Sequence, residues 1–195
     1  MSIKLFKADY LERLTYMPIR IFLPFWCLAI CALFWICRSL SFFDLVIYAA
    51  AGFLLWTMVE YVGHRFLFHL RPSSVIGKKI IFLMHGNHHE LPSDKLRNMM
   101  PLIVTVPVGS LVCGILYLLF GDCGKALFSG FVIGYVVYDL VHYFCHQRQF
   151  SSGIMGRLRR HHLVHHFAKP DQNFAVSNTF WDYVFSTKSV SKRQH

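Results

Sequence analysis

Four apolar stretches constrain the fold of this chain more than any other feature of its sequence. They cover about residues 19–37, 45–60, 102–120 and 126–144, and each holds at most one acidic or basic residue. Crossing a hydrocarbon core about 30 Å thick requires roughly 20 helical residues. Three of the stretches meet that length alone, and we expect the helix of the shorter one to continue past Glu60. The sequence therefore predicts an all-α integral membrane protein with about four transmembrane helices.

The composition also indicates a membrane protein. Hydrophobic residues make up 55% of the chain and charged residues 15%, whereas soluble domains carry about 25% charged residues. The formal net charge is +10, and a strongly basic protein can bind either nucleic acid or an anionic membrane surface. Because the basic residues lie between the apolar stretches, we expect contact with a membrane surface and no nucleic-acid partner.

The basic residues are divided unequally between the two sides of the membrane. Four spans place the N-terminal segment, residues 61–100 and the residues after 145 on one side, which then holds 18 of the 20 lysines and arginines. The positive-inside rule makes that side cytoplasmic. We expect residues 1–195 to form a single membrane-embedded domain with a helical cytoplasmic cap, built from segments at about residues 61–100 and 145–190.

Eleven of the twelve histidines fall into four clusters, all on the predicted cytoplasmic side: residues 64–69, 85–89, 142–146 and 161–166. Histidine is the commonest metal ligand, and its neutral imidazole suits zinc, copper, iron and nickel. One ion takes about four to six ligands, whereas about ten imidazoles are available here. The clusters therefore predict two metal ions that share one pocket.

The spacing within the clusters favours ligation, because residues three or four apart share a helix face. His142 and His146 have this relation. It also holds within two other sets, His85, His88 and His89, and His162, His165 and His166. His64 and His69 are five residues apart, so they require either a local unwinding of the helix or two different metals.

Three other residues with side chains that could bind a metal are expected to play no part in metal binding. His161 would face away from the partners of His162, and His195 is terminal. Cys145 lies between His142 and His146, but those two already share a face without it. We therefore expect Cys145 to pack as a small apolar residue.

Two acidic residues precede the histidines inside the spans. Glu60 is four residues before His64, and Asp139 is three residues before His142. An acidic group in a membrane span is costly and usually has a partner or a function. We expect each carboxylate to accept the distal imidazole N–H, which would fix the tautomer. The alternative is an ion pair with a nearby lysine or arginine.

Segments 60–69, 85–94, 97–101, 138–143, 162–166 and 177–185 together resemble one known family. It is the fatty acid hydroxylase superfamily of integral-membrane di-metal oxygenases, and the resemblance is strongest to its fatty acid 2-hydroxylase branch. The resemblance implies that ten histidines hold two metals: His64, His69, His85, His88, His89, His142, His146, His162, His165 and His166.

The resemblance implies an O2-dependent lipid hydroxylase, with O2 as co-substrate and a membrane lipid as substrate. The expected reaction inserts one oxygen atom into a C–H bond of an acyl chain, by 2-hydroxylation of a fatty acid or sphingolipid. The expected metals are two iron ions, because zinc has no redox chemistry, although zinc fits the same ligands and can enter a purified sample. The expected membrane is the endoplasmic reticulum in a eukaryote or the inner membrane in a bacterium.

The sequence departs from the 2-hydroxylase branch in two respects. Gln147 stands where that branch commonly has a second histidine, and the sequence His146-Gln147-Arg148 resembles the beta-carotene hydroxylase branch instead. Eukaryotic 2-hydroxylases also often carry an N-terminal haem domain, for which this sequence has no room. We therefore expect a separate electron donor, either a b-type cytochrome or a ferredoxin-like protein with its reductase.

Several alternatives remain open at the level of sequence. A carotenoid or sterol hydroxylase or a desaturase of the same superfamily shares the metal chemistry, and a non-catalytic metal-binding membrane protein would retain the histidines. A metal transporter would place its ligands near the middle of the spans, whereas these lie at span ends. Trp181, Tyr183 and Phe185 are either residues at the mouth of the substrate site or an interfacial aromatic belt.

Overall fold

The computed structural model describes residues 3–189 of the protein, and His195 lies outside them. Within these residues the protein is helical and contains no strand, so the all-α prediction is confirmed. The helices are α1 (Asp9–Leu14), α2 (Ile19–Ile36), α3 (Phe42–Val62), α4 (Val75–Ile81), α5 (Asn87–Glu90), α6 (Leu102–Phe120), α7 (Asp122–Gln147), α8 (Gly153–Phe167) and α9 (Phe180–Val184).

Helices α2, α3, α6 and α7 are long and apolar enough to cross a membrane, by length and composition. Helix α3 begins three residues before the predicted stretch, because the Ser41 hydroxyl caps it by accepting the Asp44 N–H. Helix α7 also begins early. The turn after α6 requires only Gly121, whose φ of +58° is accessible to glycine, and α7 starts at the next residue.

Helix α7 lies at the centre of the bundle. In α7, 56% of an apolar stretch of 18 residues is buried inside the protein, compared with 6–11% in the other three long helices. All three of these helices pack against α7. Glycines make the contact with α3 close: a Cβ at Gly52 would meet the Leu127 carbonyl, and one at Gly130 would lie 1.7 Å from the Ala49 oxygen. Small residues at such positions allow helix backbones to approach within the bilayer.

Replacing Gly130 with alanine is expected to destabilise the bundle, because the new methyl group must push α3 and α7 apart. Overpacking of this kind costs about 1–3 kcal/mol. Gly114 of α6 provides the matched control, since a Cβ there would meet nothing within 4 Å. Thermal unfolding in detergent should show a lower midpoint for Gly130→Ala and no loss for Gly114→Ala. Equal midpoints would contradict the close packing of α3 on α7.

One end of the bundle carries all the remaining helices. The Met17 N–H, just before α2, donates to the Leu96 carbonyl, just before α6. The C-terminal ends of α3 and α7 lie at the same end of the bundle, as do α4, α5, α8 and α9. Every described histidine is therefore near this end. Short helices and loops line this end, and their conformations determine the direction of the imidazoles outside α7.

Candidate metal centre

A local unwinding at the end of α3 brings His64 and His69 together. Residues Gly63–Phe68 form a π-helix, in which hydrogen bonds run from residue i to i+5. In an α-helix, residues five apart would be separated by about 140° around the axis, whereas the wider π-helical turn reduces this separation. Their Nε2 atoms are 3.3 Å apart. A second π-helical segment, Phe82–Gly86, carries His85.

The imidazoles form two groups of five. Within each group, the nitrogen atoms available to a metal all lie within 4.8 Å of one another. The first, here called the His64 group, comprises His64, His69, His85, His89 and His165. The second, here called the His88 group, comprises His88, His142, His146, His162 and His166. These are the ten histidines that the sequence singled out.

Helices α5 and α8 each contribute histidines to both groups, which lie side by side. In α5, His89 belongs to the His64 group while His88 belongs to the other. Helix α8 likewise contributes His165 to one group and His162 and His166 to the other. The rings of His89 and His166 stack across the boundary, with centroids 4.1 Å apart. Histidines that the sequence assigned to one helix face therefore point to two adjacent centres.

The tautomers of several imidazoles follow from their partners. The Nδ1 atom of His64 faces the Phe174 carbonyl, and that of His165 lies 2.8 Å from the Gln172 carbonyl. A carbonyl oxygen only accepts, so the ring proton of each is on Nδ1. His142 has the same arrangement with the Asn98 carbonyl at 2.9 Å. The bare Nε2 lone pair of each ring is consequently free to bind a cation.

The nitrogen separations fit shared cations. Nε2 atoms of neighbouring rings in the His64 group lie 3.0–3.3 Å apart, and those of His146 and His162 lie 2.9 Å apart. Two nitrogens bound about 2.0–2.1 Å from one ion lie about 2.8–3.4 Å apart at right-angled or tetrahedral positions. The Nε2 atoms of His88, His142 and His166 are buried without a hydrogen-bond partner among the described residues. The imidazole nitrogens are therefore suitably spaced to bind metal ions.

Burial keeps these imidazoles neutral. It lowers the pKa of His89 to about 4 and that of His165 to about 3. Burial, followed by neighbouring imidazoles, holds the pKa of His85, His88 and His162 well below the usual value. Rings with such pKa values are uncharged at neutral pH, and the uncharged imidazole is the form that binds a metal.

Glu60 and Asp139 are buried beside the site, but their hydrogen bonds go to other groups than imidazoles. Glu60 accepts the Val176 N–H at 2.6 Å and the Ser177 N–H at 2.8 Å, as well as the Ser177 hydroxyl. Asp139 accepts the Met100 N–H at 3.1 Å and the Tyr135 hydroxyl at 2.8 Å. The backbone carbonyls orient the rings instead, and the two carboxylates hold the segments near those carbonyls.

Asp182 is a further buried carboxylate, for which the sequence indicated no role. Its side chain accepts the N–H groups of Phe174 and Ala175 and the hydroxyl of Thr187. His161 contacts the same carboxylate at 2.8 Å and belongs to neither group of imidazoles. Asp182 thereby anchors the loop whose Phe174 carbonyl orients His64. Cys145 is also buried outside both groups.

The model of the fatty acid hydroxylase family matches residues 49–187, which include every histidine of both groups. The chain belongs to the fatty acid hydroxylase family. The resemblance seen in the sequence is confirmed, and the protein is an oxidoreductase of the hydroxylase class with a membrane-protein architecture.

Individual relatives of this fatty acid hydroxylase agree with the family match. It is 33% identical to a dihydroceramide fatty acyl 2-hydroxylase of Arabidopsis thaliana, over 97% of this chain and 81% of the relative. It is 40% identical to the fatty acid 2-hydroxylase of Homo sapiens, over 72% of this chain and 39% of the human protein. The solved structure of full-length scs7p, with only the hydroxylase domain visible, matches with a TM-score of 0.85 and 32% identity, over 93% of this chain and 70% of that protein.

A cavity of about 590 Å³ leads from the imidazoles of this hydroxylase into the bundle. His64 and His142 line one end, whereas Val112 and Phe128 line the part deeper among α6 and α7. Its walls are mostly aliphatic and aromatic side chains. Residues of the N-terminal segment, including Leu5 and others up to residue 15, close one side, a contribution that the sequence did not indicate.

The three aromatic residues considered for the substrate mouth do not line this cavity. Trp181 donates from its indole N–H to the Thr57 hydroxyl at 3.0 Å, and Phe185 stacks on Tyr61 with ring centroids 5.1 Å apart. Tyr183 is 75% exposed. Trp181 and Phe185 thus pack against α3, and an aromatic belt at the membrane interface stays a prediction for these residues.

Proposed function

We propose that this protein is a two-metal lipid hydroxylase that inserts one oxygen atom of O2 into a C–H bond of an acyl group. The expected reaction is 2-hydroxylation of a fatty acid or of the acyl group of a sphingolipid. The observation that carries the proposal is the placement of two five-imidazole groups at the end of an apolar cavity. The hydroxylase names of its relatives support the same reaction class.

The His64 group would hold one metal ion and the His88 group the other. When bound, two iron ions supply the redox chemistry that O2 activation requires. Zinc suits the same nitrogen donors but has no redox chemistry, so zinc in a purified sample would give an inactive protein. The carbonyls of Asn98, Gln172 and Phe174 keep the ring protons on Nδ1, which leaves the opposite nitrogen of each ring available to an ion.

The cavity explains why the site would act near the carboxyl end of an acyl group. A hydrocarbon tail is accommodated by the apolar region that Val112 and Phe128 line, whereas buried Asn98 lies at the histidine end. A lipid inserted tail first leaves its polar group at the histidine end. Carbon 2, next to that polar group, would then lie nearest the imidazoles. The protein's contributions are positioning of the substrate and exclusion of water.

The cellular arrangement follows from the charge distribution and is part of the proposal. By the positive-inside rule, the metal centre would lie on the cytoplasmic side, in the endoplasmic reticulum of a eukaryote or the inner membrane of a bacterium. The electrons would come from a separate b-type cytochrome, or from a ferredoxin-like protein with its reductase. Because elements from α3 to α9 converge on the same site, we infer that residues 1–195 form one domain.

Lipid analysis of a host that expresses the protein tests the proposed reaction. The expected products are 2-hydroxyacyl lipids that are absent from cells with an empty vector. New double bonds would indicate a desaturase, and hydroxylated carotenoids or sterols would indicate the corresponding alternatives. A folded, metal-loaded protein that changes none of these lipids would contradict the proposal and would favour a non-catalytic metal-binding protein.

The N-terminal wall of the cavity provides a second test. Glu12 is 6% exposed, accepts the N–H groups of Leu5 and Phe6, and pairs with Arg97. Glu12→Gln removes the charge that holds this wall, so substrate should be held less well and water should enter. We expect hydroxylation to fall by about 10- to 100-fold. The control is Asp9→Asn, which alters only an exposed ion pair with Lys4.

Product formation by purified, metal-loaded variants measures the effect of this wall. Asp9→Asn should match the wild type. If Glu12→Gln also matches it in rate and in apparent affinity for the lipid, the N-terminal segment does not form part of the substrate site.

A further inference from the structure

We propose that Gln147 is a positioning residue that acts through Asn98 on the His88 group, and so determines how tightly that group holds its ion. The proposal rests on the metal centre proposed above. Gln147 is the last residue of α7, directly after His146. It is not a member of either group of imidazoles. Its influence on the metal centre therefore has to pass through a neighbouring side chain.

A short series of amide hydrogen bonds connects Gln147 to the imidazoles. Its Nε2 atom donates to the Asn98 Oδ1 at 2.6 Å and to the Ser93 carbonyl at 3.1 Å. The Asn98 Nδ2 atom donates in turn to the Pro92 carbonyl at 2.7 Å. The same atom lies 3.4 Å from Nδ1 of His88. Gln147 thus fixes a side chain that touches a proposed ligand.

The orientation of both amides is determined by the backbone. The carbonyls of Ser93 and Pro92 only accept hydrogen bonds, so an NH2 group must face each of them. This requirement directs the Asn98 oxygen toward Gln147. Reversal of either amide would set two oxygen atoms against each other. The network therefore has one satisfied arrangement, and it depends on the two N–H donors of Gln147.

Asn98 controls two members of the His88 group at once. Its backbone carbonyl accepts from Nδ1 of His142 at 2.9 Å, and its side chain lies beside His88. Asn98 is 2% exposed, so an unsatisfied amide oxygen there would be costly. Loss of the Gln147 donors should let Asn98 move. Both His142 and His88 would then be less well oriented, whereas no hydrogen bond among the described residues joins this network to the His64 group.

Replacement of Gln147 should therefore lower the metal affinity of the His88 group and leave that of the His64 group unchanged. Loss of hydrogen bonds behind metal ligands typically weakens metal binding by about 10- to 100-fold. We expect Gln147→Ala to show that loss at one of two sites. Gln147→His can supply one donor from its ring in place of two, so its affinity should lie between those of the wild type and the alanine variant. The matched control is Gln149→Ala, an exposed glutamine two residues further on.

Cobalt(II) titration of the metal-free full-length protein in detergent is the appropriate experiment. Visible absorption reports the geometry at each cobalt ion, and a competing chelator gives the two affinities. Thermal unfolding checks that each variant is folded. The expected result is two tight sites in the wild type and in Gln149→Ala. Gln147→Ala should show one unchanged site and one weakened site with an altered spectrum.

Equal affinities and equal spectra for Gln147→Ala and the wild type would overturn the role of Gln147 while leaving the metal centre standing. Equal weakening at both sites would also overturn it, because a general loss of structure would then account for the effect. A wild-type protein that binds no cobalt would overturn the proposed metal centre, and this inference with it. The failure of one proposal is thus distinguishable from the failure of the other.

Discussion

Replacing His165 with alanine is expected to abolish the hydroxylated product. His165 is fully buried, and its Nε2 atom lies 3.2 Å from that of His89 among the proposed ligands. Changes behind a metal ligand typically cost about 10- to 100-fold in metal affinity or activity. Removal of a ligand itself should cost more than about 100-fold. Metal analysis and lipid analysis of the purified variant measure both consequences.

His161 provides the control for this experiment. It lies on the same helix and is also buried, but it contacts the Asp182 carboxylate rather than the other imidazoles. His161→Ala should therefore lower the stability of the protein and leave its metal content unchanged. If the two variants lose metal and activity to the same extent, the division between ligating and structural histidines is wrong.

Replacing Asp182 with alanine is expected to cause the largest loss of stability. The fully buried carboxylate accepts hydrogen bonds from two backbone N–H groups, the Thr187 hydroxyl and His161. Removing one partner of a buried charged network typically costs about 3–5 kcal/mol. The variant should also bind metal less well, because the displaced loop contains the Phe174 carbonyl that orients His64.

Asp171 allows a matched comparison, because it lies in the loop that Asp182 anchors. It pairs with Arg71, and both side chains are more than 70% exposed. Exposed pairs of this kind contribute about 0–1 kcal/mol, so Asp171→Ala should be close to the wild type in denaturation experiments in detergent. A loss of stability in Asp182→Ala no larger than that in Asp171→Ala would refute the anchoring role of Asp182.

The long helices could be predicted from the sequence because their signal is local. Apolar composition over about 20 residues is sufficient to identify a membrane-spanning helix. The close contact of α3 with α7 also has a local signal, in the glycines at positions 52 and 130. The residues at which α7 begins and ends were harder to predict from the sequence. Its start depends on a single glycine turn at Gly121, and its end lies among histidines that are not apolar.

The ten imidazoles could be identified from the sequence, but their division into two groups could not. His88 and His89 are adjacent in the sequence and belong to different groups, because the direction of each ring depends on the tertiary position of α5. The five-residue interval between His64 and His69 did contain a signal. It is incompatible with a shared face on a regular α-helix, and a π-helix resolves it.

The groups that orient the imidazoles were largely inaccessible to sequence reasoning. Glu60 was expected to contact His64, but it binds the loop at Val176 and Ser177, more than 100 residues away in the sequence. Backbone carbonyls, such as that of Phe174, orient the rings instead. Every residue has a backbone carbonyl, so the sequence does not indicate which carbonyl accepts a hydrogen bond from an imidazole. Only the folded positions of distant segments reveal which carbonyls take part.

The metal content of the purified full-length protein tests the central claim most directly. Two groups of five imidazoles, each with its nitrogen atoms within 4.8 Å of one another, imply two bound ions per protein molecule. Elemental analysis of protein purified without chelators should give two transition-metal ions per molecule, with iron present in active samples. A folded protein that contains no such ion, and takes up none when iron is supplied under reducing conditions, would contradict the account.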